Sequence, residues 1–308
     1  MKNATLIYNP VAGRKPARRQ REIAAVVEAL RSSGIAARIA KTTGPGSATE
    51  LARAAVDGGE ELVIACGGDG TINEVINGMC PGSATLAILP GGTANITANE
   101  LRLPRDPVRA ARQLSTWHPR RIALGLASDF QSSGTAHASR YFLSVAGIGF
   151  DAYVIHKLAV GFKMSLGVAA YVLEGLRQVR RYSFPPLLCK TDGRSLGATF
   201  ALIQRTSLYA GWFRTAPNQS ITNSHFGLSL YPSRRRARYL LYAFAIMTQR
   251  RLRDVSQMES RQVELAPETP GADIYFELDG ELAGKLPAKF EVAPGALTLL
   301  MPPVPGDK

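Results

Sequence analysis

The run Cys66-Gly67-Gly68-Asp69-Gly70-Thr71-Ile72-Asn73-Glu74-Val75 carries the side chains of this sequence best suited to chemistry. Three glycines in four positions allow left-handed backbone and close approach to a ligand. The apolar stretch Leu62–Cys66 ends at the first of them, and Ile72, Val75, Ile76 and Met79 behind them recur at helical spacing. A strand that stops in glycines and opens at once into a helix gathers N–H groups at the helix N-terminus, an arrangement that binds phosphate. Thr71 either caps the helix or gives its hydroxyl to a phosphate. Asp69 orients a Mg²⁺ ion or its waters, or it holds the loop. Taken alone, Gly-Gly-Asp-Gly is also good turn chemistry. A Walker-type loop is absent and no GxGxxG follows a first strand, which disfavours the usual P-loop and dinucleotide folds.

Other loops strengthen the phosphate reading. Asn9-Pro10-Val11-Ala12-Gly13 follows the strand Thr5–Tyr8, Thr42-Thr43 follows Ile35–Ala40, and Pro90-Gly91-Gly92-Thr93-Ala94-Asn95 follows Thr85–Leu89. Helical patterns fall between them: Ile23, Val26, Val27 and Leu30, then Ser47 to Val56, then a helix near Thr93. Strands alternating with helices imply a mostly parallel sheet covered on both faces, with ligands beyond the carboxyl ends of the strands. In such a sheet the four loops converge on one edge.

After Trp117 the texture changes. Arg121–Ala127, Tyr141–Val145, Thr199–Gln204, Leu228–Tyr231, Gln262–Leu265 and Phe290–Met301 are short and strand-like, as in an antiparallel domain. Helices interrupt it near Gly161–Arg181 and Ala237–Arg253. With 308 residues, two domains are expected: 1–120, and 121–290, with the tail from about 290 to 308 packing back on the first. Three scattered cysteines, Cys66, Cys80 and Cys189, argue against a disulfide framework or a zinc site and fit a cytoplasmic protein.

A net charge of +13 attracts anionic partners of some kind. Arg234-Arg235-Arg236-Ala237-Arg238, Leu240–Met247 and Arg250-Arg251-Leu252-Arg253 form a basic–apolar–basic block. That block reads either as a membrane-docking face or as a buried helix with solvated arginine ends. No apolar run approaches the ~20 residues that cross a bilayer. No recognition helix, zinc finger or aromatic RNA-binding motif is present, so nucleic acid is not an expected partner.

Four segments stand in order: Asn9-Pro10-Val11-Ala12-Gly13, Gly67 through Val75, Leu89 through Asn95, and Gly147-Ile148-Gly149-Phe150-Asp151-Ala152. Together they resemble the diacylglycerol kinase catalytic-domain family, especially its bacterial soluble lipid kinases, a group that includes the sphingosine and ceramide kinases. The resemblance implies an α/β nucleotide domain like those of NAD kinase and phosphofructokinase, followed by a β-sandwich domain, with ATP in the cleft between them. It implies an ATP- and Mg²⁺-dependent lipid kinase, peripheral on an anionic membrane surface, acting on diacylglycerol or a related long-chain alcohol. A homodimer stays open. Asn9, Thr42, Gly67, Gly68, Asp69, Gly70, Thr71, Ile72, Asn73 and Thr93 map onto its nucleotide contacts.

Phe276-Glu277-Leu278-Asp279-Gly280-Glu281 looks like the family's late Asp-Gly-Glu motif, whose acid takes the hydroxyl proton. Glu281 and Asp279 are therefore both candidates. Asp279-Gly280 also reads as a hairpin turn after Ile274–Leu278. Gly147 and Gly149 let backbone approach the site or mark a strand bulge, the second being favoured. One departure concerns the bacterial members' structural Mg²⁺, held by an Asp-Gly after Ala216-Pro217-Asn218. Asn223-Ser224 stands there instead, and a lost carboxylate weakens a hard-cation site. Asn223 is the one metal candidate. Two other readings remain: an NAD kinase-like enzyme, and a non-catalytic nucleotide or lipid sensor.

Overall fold

A computed structural model of the chain describes residues 3–13, 16–129, 139–160, 167–209 and 213–303. The chain divides into two compact units, Met1–Leu124 with Pro294–Lys308, and Gly125–Ala293.

In the first unit, β1 (Asn3–Tyr8), β2 (Ala36–Lys41), β3 (Leu62–Gly67) and β4 (Thr85–Pro90) form a parallel sheet in the order β2-β1-β3-β4. Both β3 and β4 are buried along their whole length, as parallel strands covered on two faces must be. Around them lie α1 (Pro16–Ser32), α2 (Ser47–Asp57), α3 (Asp69–Met79), α4 (Ile96–Glu100) and α5 (Pro107–Gln113). The expected apolar stripes are the buried faces: Ile23, Val26 and Leu30 on α1, and Ile72, Val75, Ile76 and Met79 on α3. On α2 the buried face is Ala48, Ala52 and Ala55, small enough for α3 to approach until a side chain at Gly78 would meet Thr49 O at 2.2 Å. Each fully buried aliphatic side chain on these stripes is worth about 1.5–3 kcal/mol of transfer free energy.

The second unit is a β-sandwich, the other half of the expected fold class. Its strands begin within β5 (His118–Asp129) and continue with β6 (Ser139–Phe142), β7 (Val145–Gly149), β8 (Leu187–Thr191), β9 (Arg194–Ala198), β10 (Phe200–Gln204), β11 (Leu208–Tyr209), β12 (Phe213–Arg214), β13 (Phe226–Tyr231), β14 (Ser256–Ser260), β15 (Gln262–Pro267), β16 (Tyr275–Leu278) and β17 (Glu281–Lys285). One antiparallel sheet runs β14-β13-β10-β7-β16-β17. Facing it are β15, β8 and β9, the pair β5–β6, and the start of β18 (Ala288–Met301). Inward residues of both layers, among them Phe142, Ile148, Ile203, Phe226, Val263, Phe276 and Phe290, close one core. A second, aromatic cluster (Phe184, Phe200, Tyr231, Tyr239, Tyr242) fills the outer face of β10 and β13 beneath α8 (Arg236–Thr248). The strand β18 continues into the first unit, where Thr298 and Leu299 pair in parallel with Thr85 and Leu86 of β4.

Two helices, α6 (Phe150–Val160) and α7 (Gly167–Gln178), follow β7. The helix expected over 161–181 is thus α7 from Gly167, its first six residues lying outside the described ones, while α6 was not foreseen. The bulge expected at Gly147 is absent. Gly147 pairs regularly with Leu202 and Glu277, and the irregularity lies in the β16–β17 pair, where Phe276 and Glu277 face Gly284 and Leu282 and Ala283 of β17 is the extra residue.

Candidate active site

The parallel register sets the strand ends of the first unit level with one another. Tyr8 lies opposite Lys41 on one side and Cys66 on the other, and Gly67 lies opposite Pro90. The turns after all four strands therefore open at one edge of the sheet. Backbone bonds tie them: Thr42 N–H to Tyr8 O at 3.0 Å, Asn9 N–H to Cys66 O at 3.3 Å, and Gly91 N–H to Gly67 O at 2.9 Å.

Glycine is required where these turns touch. A Cβ on Gly92 would stand 2.4 Å from the Cα of Gly68, so the turns after β3 and β4 pack backbone against backbone. Asn95, in the left-handed region, clamps its turn by accepting from Gly92 N–H at 2.9 Å and donating to Gly92 O at 3.0 Å. Asn9 donates to the Thr71 hydroxyl at 3.5 Å, joining the first turn to the head of α3.

The first bond of α3 runs from Ile72 N–H to Gly68 O at 3.0 Å, so the amides of Gly70 and Thr71 belong to its N-terminal turn, where helices receive anions. Asp69 stands at the same turn and accepts from Thr97 N–H of α4 at 3.4 Å.

Not every residue mapped to the nucleotide has a group to offer. Ile72 is a core side chain whose N–H serves the helix, so it makes no polar contact with a ligand. The Asn73 side chain is buried and accepts from the Asn77 amide at 3.2 Å, bracing α3 from inside. Thr93 is exposed at the tip of its turn and Thr42 is buried beneath the turn after β2.

Two organising residues escaped sequence reasoning. Arg19, 1% exposed, donates to Asn9 O at 3.3 Å and Cys66 O at 2.8 Å and pairs with Glu22 at 2.6 Å. Its guanidinium abuts Gly91, where a Cβ would come within 2.4 Å, so one buried cation supports three turns. Glu74 accepts from Gly46 N–H at 2.9 Å and Ala48 N–H at 3.0 Å, capping α2 from α3. Arg19 was findable, because it falls on the buried stripe of α1 with Ile23, Val26 and Leu30.

In the second unit the Asp279-Gly280 turn joins β16 to β17 with positive φ at both residues, 51° and 90°, the geometry of a tight hairpin. Asp279 is buried, and its carboxylate accepts from three consecutive amides, Leu143 and Ser144 at 2.8 Å and Val145 at 3.0 Å. Its oxygens are thus committed to holding the 143–145 segment. This removes Asp279 as a proton acceptor and makes it an anchor. Glu281, one-third exposed, has Oε2 on Arg140 at 2.5 Å.

Behind the turn lies a second acid pair. A Cβ on Gly147 would fall 2.1 Å from Asp151 Oδ2 and 2.6 Å from Glu277 Oε1, so glycine makes room for two buried carboxyl groups. Burial first, and the Asp151 charge second, push the Glu277 carboxyl well above its ordinary range, and its Oε2 accepts from Gly280 N–H at 2.6 Å.

Asn223 does not present a metal site. Its amide donates to Asn218 O at 3.2 Å and Gln219 Oε1 at 3.3 Å, and its carbonyl accepts from Arg205 at 2.7 Å. Among the described residues, no group of three His, Cys, Asp or Glu side chains could hold a metal ion. A structural Mg²⁺ does not fit the residues present.

The basic–apolar helix α8 is not a buried core helix. It buries Tyr239, Tyr242 and Ala245 and exposes Leu240, Leu241, Phe244 and Met247, the last two at 54%. No described helix is long and apolar enough to cross a membrane.

Residues 3–127 match the diacylglycerol kinase catalytic domain, and residues 144–301 match the YegS C-terminal NAD kinase beta sandwich-like domain. The chain belongs to the diacylglycerol kinase catalytic-domain family. It is therefore a kinase, with ATP the phosphoryl donor that membership implies. It is similar to a diacylglycerol kinase of Bacillus subtilis (strain 168), 29% identical over 94% of this chain and 93% of the relative. A diacylglycerol kinase of Staphylococcus aureus (strain MRSA252) is 25% identical over 94% and 89%. A crystal structure of a diacylglycerol kinase from Bacillus anthracis shares the fold, with a TM-score of 0.73 at 20% identity over 98% and 97% of the two chains. Yeast NADH kinase with NADH shares it more distantly, with a TM-score of 0.50 at 9% identity over 100% of this chain and 85% of that one.

Proposed function

We propose that this chain transfers the γ-phosphate of ATP, with Mg²⁺, to the hydroxyl of diacylglycerol or a related long-chain lipid alcohol at an anionic membrane surface. The observation that carries the reading is the levelling of four strand-end turns at one edge of a parallel sheet, with the N-terminus of α3 among them. The amides of Gly68, Gly70 and Thr71 receive phosphate oxygens, and Asn9 and Thr93 flank them. Bound with ATP, Mg²⁺ neutralises charge on the phosphates, and Asp69 is the carboxylate placed to hold it or its waters. Glu281 takes the proton of the attacking hydroxyl, with Arg140 fixing its direction, while Asp279 holds the turn that aims it. The exposed stripe of α8, between arginines at 234–236 and 250–251, docks the enzyme on the bilayer that dissolves its substrate.

The test is transfer of label from ATP to a panel of lipid alcohols in mixed vesicles, with NAD as a parallel acceptor. Label is expected in phosphatidic acid from diacylglycerol and not in NAD. Glu281→Gln should lower kcat by roughly 10²–10⁴-fold with little change in the KM for ATP. Label entering NAD alone would transfer the assignment to an NAD kinase. ATP binding without turnover on any lipid would leave a sensor.

A further inference from the structure

Arg205 follows β10 in the second unit and is fully buried. Three backbone carbonyls surround its guanidinium. Nη1 donates to Asn223 O at 2.7 Å and His225 O at 3.1 Å, and Nη2 donates to Ile221 O at 3.1 Å. Residues 221, 223 and 225 alternate along the segment that leads into β13, and their carbonyls converge on one point. Converging carbonyl dipoles make a concavity that favours positive charge and is costly to bury without it.

Neighbouring chemistry agrees with a guanidinium there rather than a metal. The Asn223 amide donates to two acceptors, Asn218 O and Gln219 Oε1. A carboxylate at 223 would set oxygen against oxygen at both. Gln219 in turn meets the His225 ring at 3.1 Å, so the segment's polar groups are arranged among themselves. The Arg205 N–H donates to Ser144 O at 2.8 Å, which extends the β7–β10 pairing one step beyond Gln204 and Val145.

We propose that Arg205 is a cation built into the chain that replaces a divalent ion: its guanidinium gathers the 221–225 carbonyls and secures this segment against β10 without metal. The Asn223-Ser224 pair is then the matching change, since a site that already carries a positive charge has no use for an acidic ligand. Burial lowers the Arg205 pKa to about 10, so the charge persists at neutral pH.

Thermal unfolding of the full chain, without nucleotide, tests this. After EDTA treatment the protein is titrated with MgCl₂ against NaCl of equal ionic strength. The wild-type Tm is expected to move by less than about 1 °C, because a ligand that does not bind the native state cannot stabilise it. A saturable rise of several degrees would overturn the proposal.

Arg205→Met should lower the Tm by more than about 5 °C, and Mg²⁺ should not restore it. Arg205→Lys, which keeps charge but loses the fork, should fall between the two. A methionine variant as stable as wild type, or a lysine variant no better than methionine, would also overturn it. Should neither variant fold, the wild-type titration decides.

Discussion

Three acids within five residues of one hairpin have three different jobs, set by their surroundings. Asp279 is bound by amides 134 to 136 residues away in sequence, Glu281 faces outward beside Arg140, and Glu277 is buried against Asp151. The hairpin could be read from Asp-Gly itself, but the division of labour could not, because the amides of 143–145 and the Asp151 carboxyl are remote in the chain. For Glu277 a consequence in pH follows. Its raised pKa means that the folded chain holds a proton that the unfolded chain releases, so stability falls as pH rises above 4.5, the ordinary value, toward the folded one. Glu277→Gln removes that slope and keeps an acceptor for Gly280 N–H. We expect it to raise the Tm at pH 8 by about 2–4 °C and to lose the gain toward pH 5, as read by calorimetry. A glutamine variant less stable at pH 8 than at pH 5, relative to wild type, would contradict the buried-acid account.

At the scale of elements, what could be read is what periodicity encodes. Buried parallel strands give unbroken apolar runs, and α1 and α3 give stripes at 3.6 residues, so the strand-helix alternation of the first unit and the glycine turns were visible. Two things were not. The helix α6 begins directly after Gly149, at φ 91°, and its apolar residues are not confined to one face, so no stripe announces it. The cross-bracing of the turns is the other: an arginine on the apolar stripe of α1 is legible, but the partners that Arg19 and Glu74 reach lie in other elements. Arg19→Met keeps the bulk of the buried stem but removes donors from Asn9 O and Cys66 O and takes the guanidinium away from Glu22. We expect a loss of roughly 3–5 kcal/mol in denaturant unfolding and at least a tenfold weaker ATP affinity by calorimetric titration. Unchanged affinity in a folded variant would show that the turns hold their shape without Arg19.

For the whole molecule, the surplus of positive charge was plain from composition, whereas its use depended on whether α8 was covered. The exposed Leu240, Phe244 and Met247 lie at i, i+4 and i+7, a single stripe. Leu240→Ser with Phe244→Ser should leave the Tm unchanged and cut co-sedimentation with anionic vesicles by more than about fivefold. Binding by the unaltered protein should weaken as salt is raised from 0.05 to about 0.5 M. Indifference to both would leave the arginines and the stripe as ordinary surface.

The second unit is one continuous stretch of chain, but the first is not. The first is completed only by residues after 293, when Thr298 and Leu299 join β4. During synthesis, β4 must therefore wait on the ribosome with one edge unpaired while about 200 further residues are made, at roughly 5–20 residues per second. That interval of ten seconds or more exposes a hydrophobic strand to chaperones, or to a neighbouring nascent chain. Clipping the protein after Ala293 should have the same effect permanently, turning the first unit into a substrate for quality control.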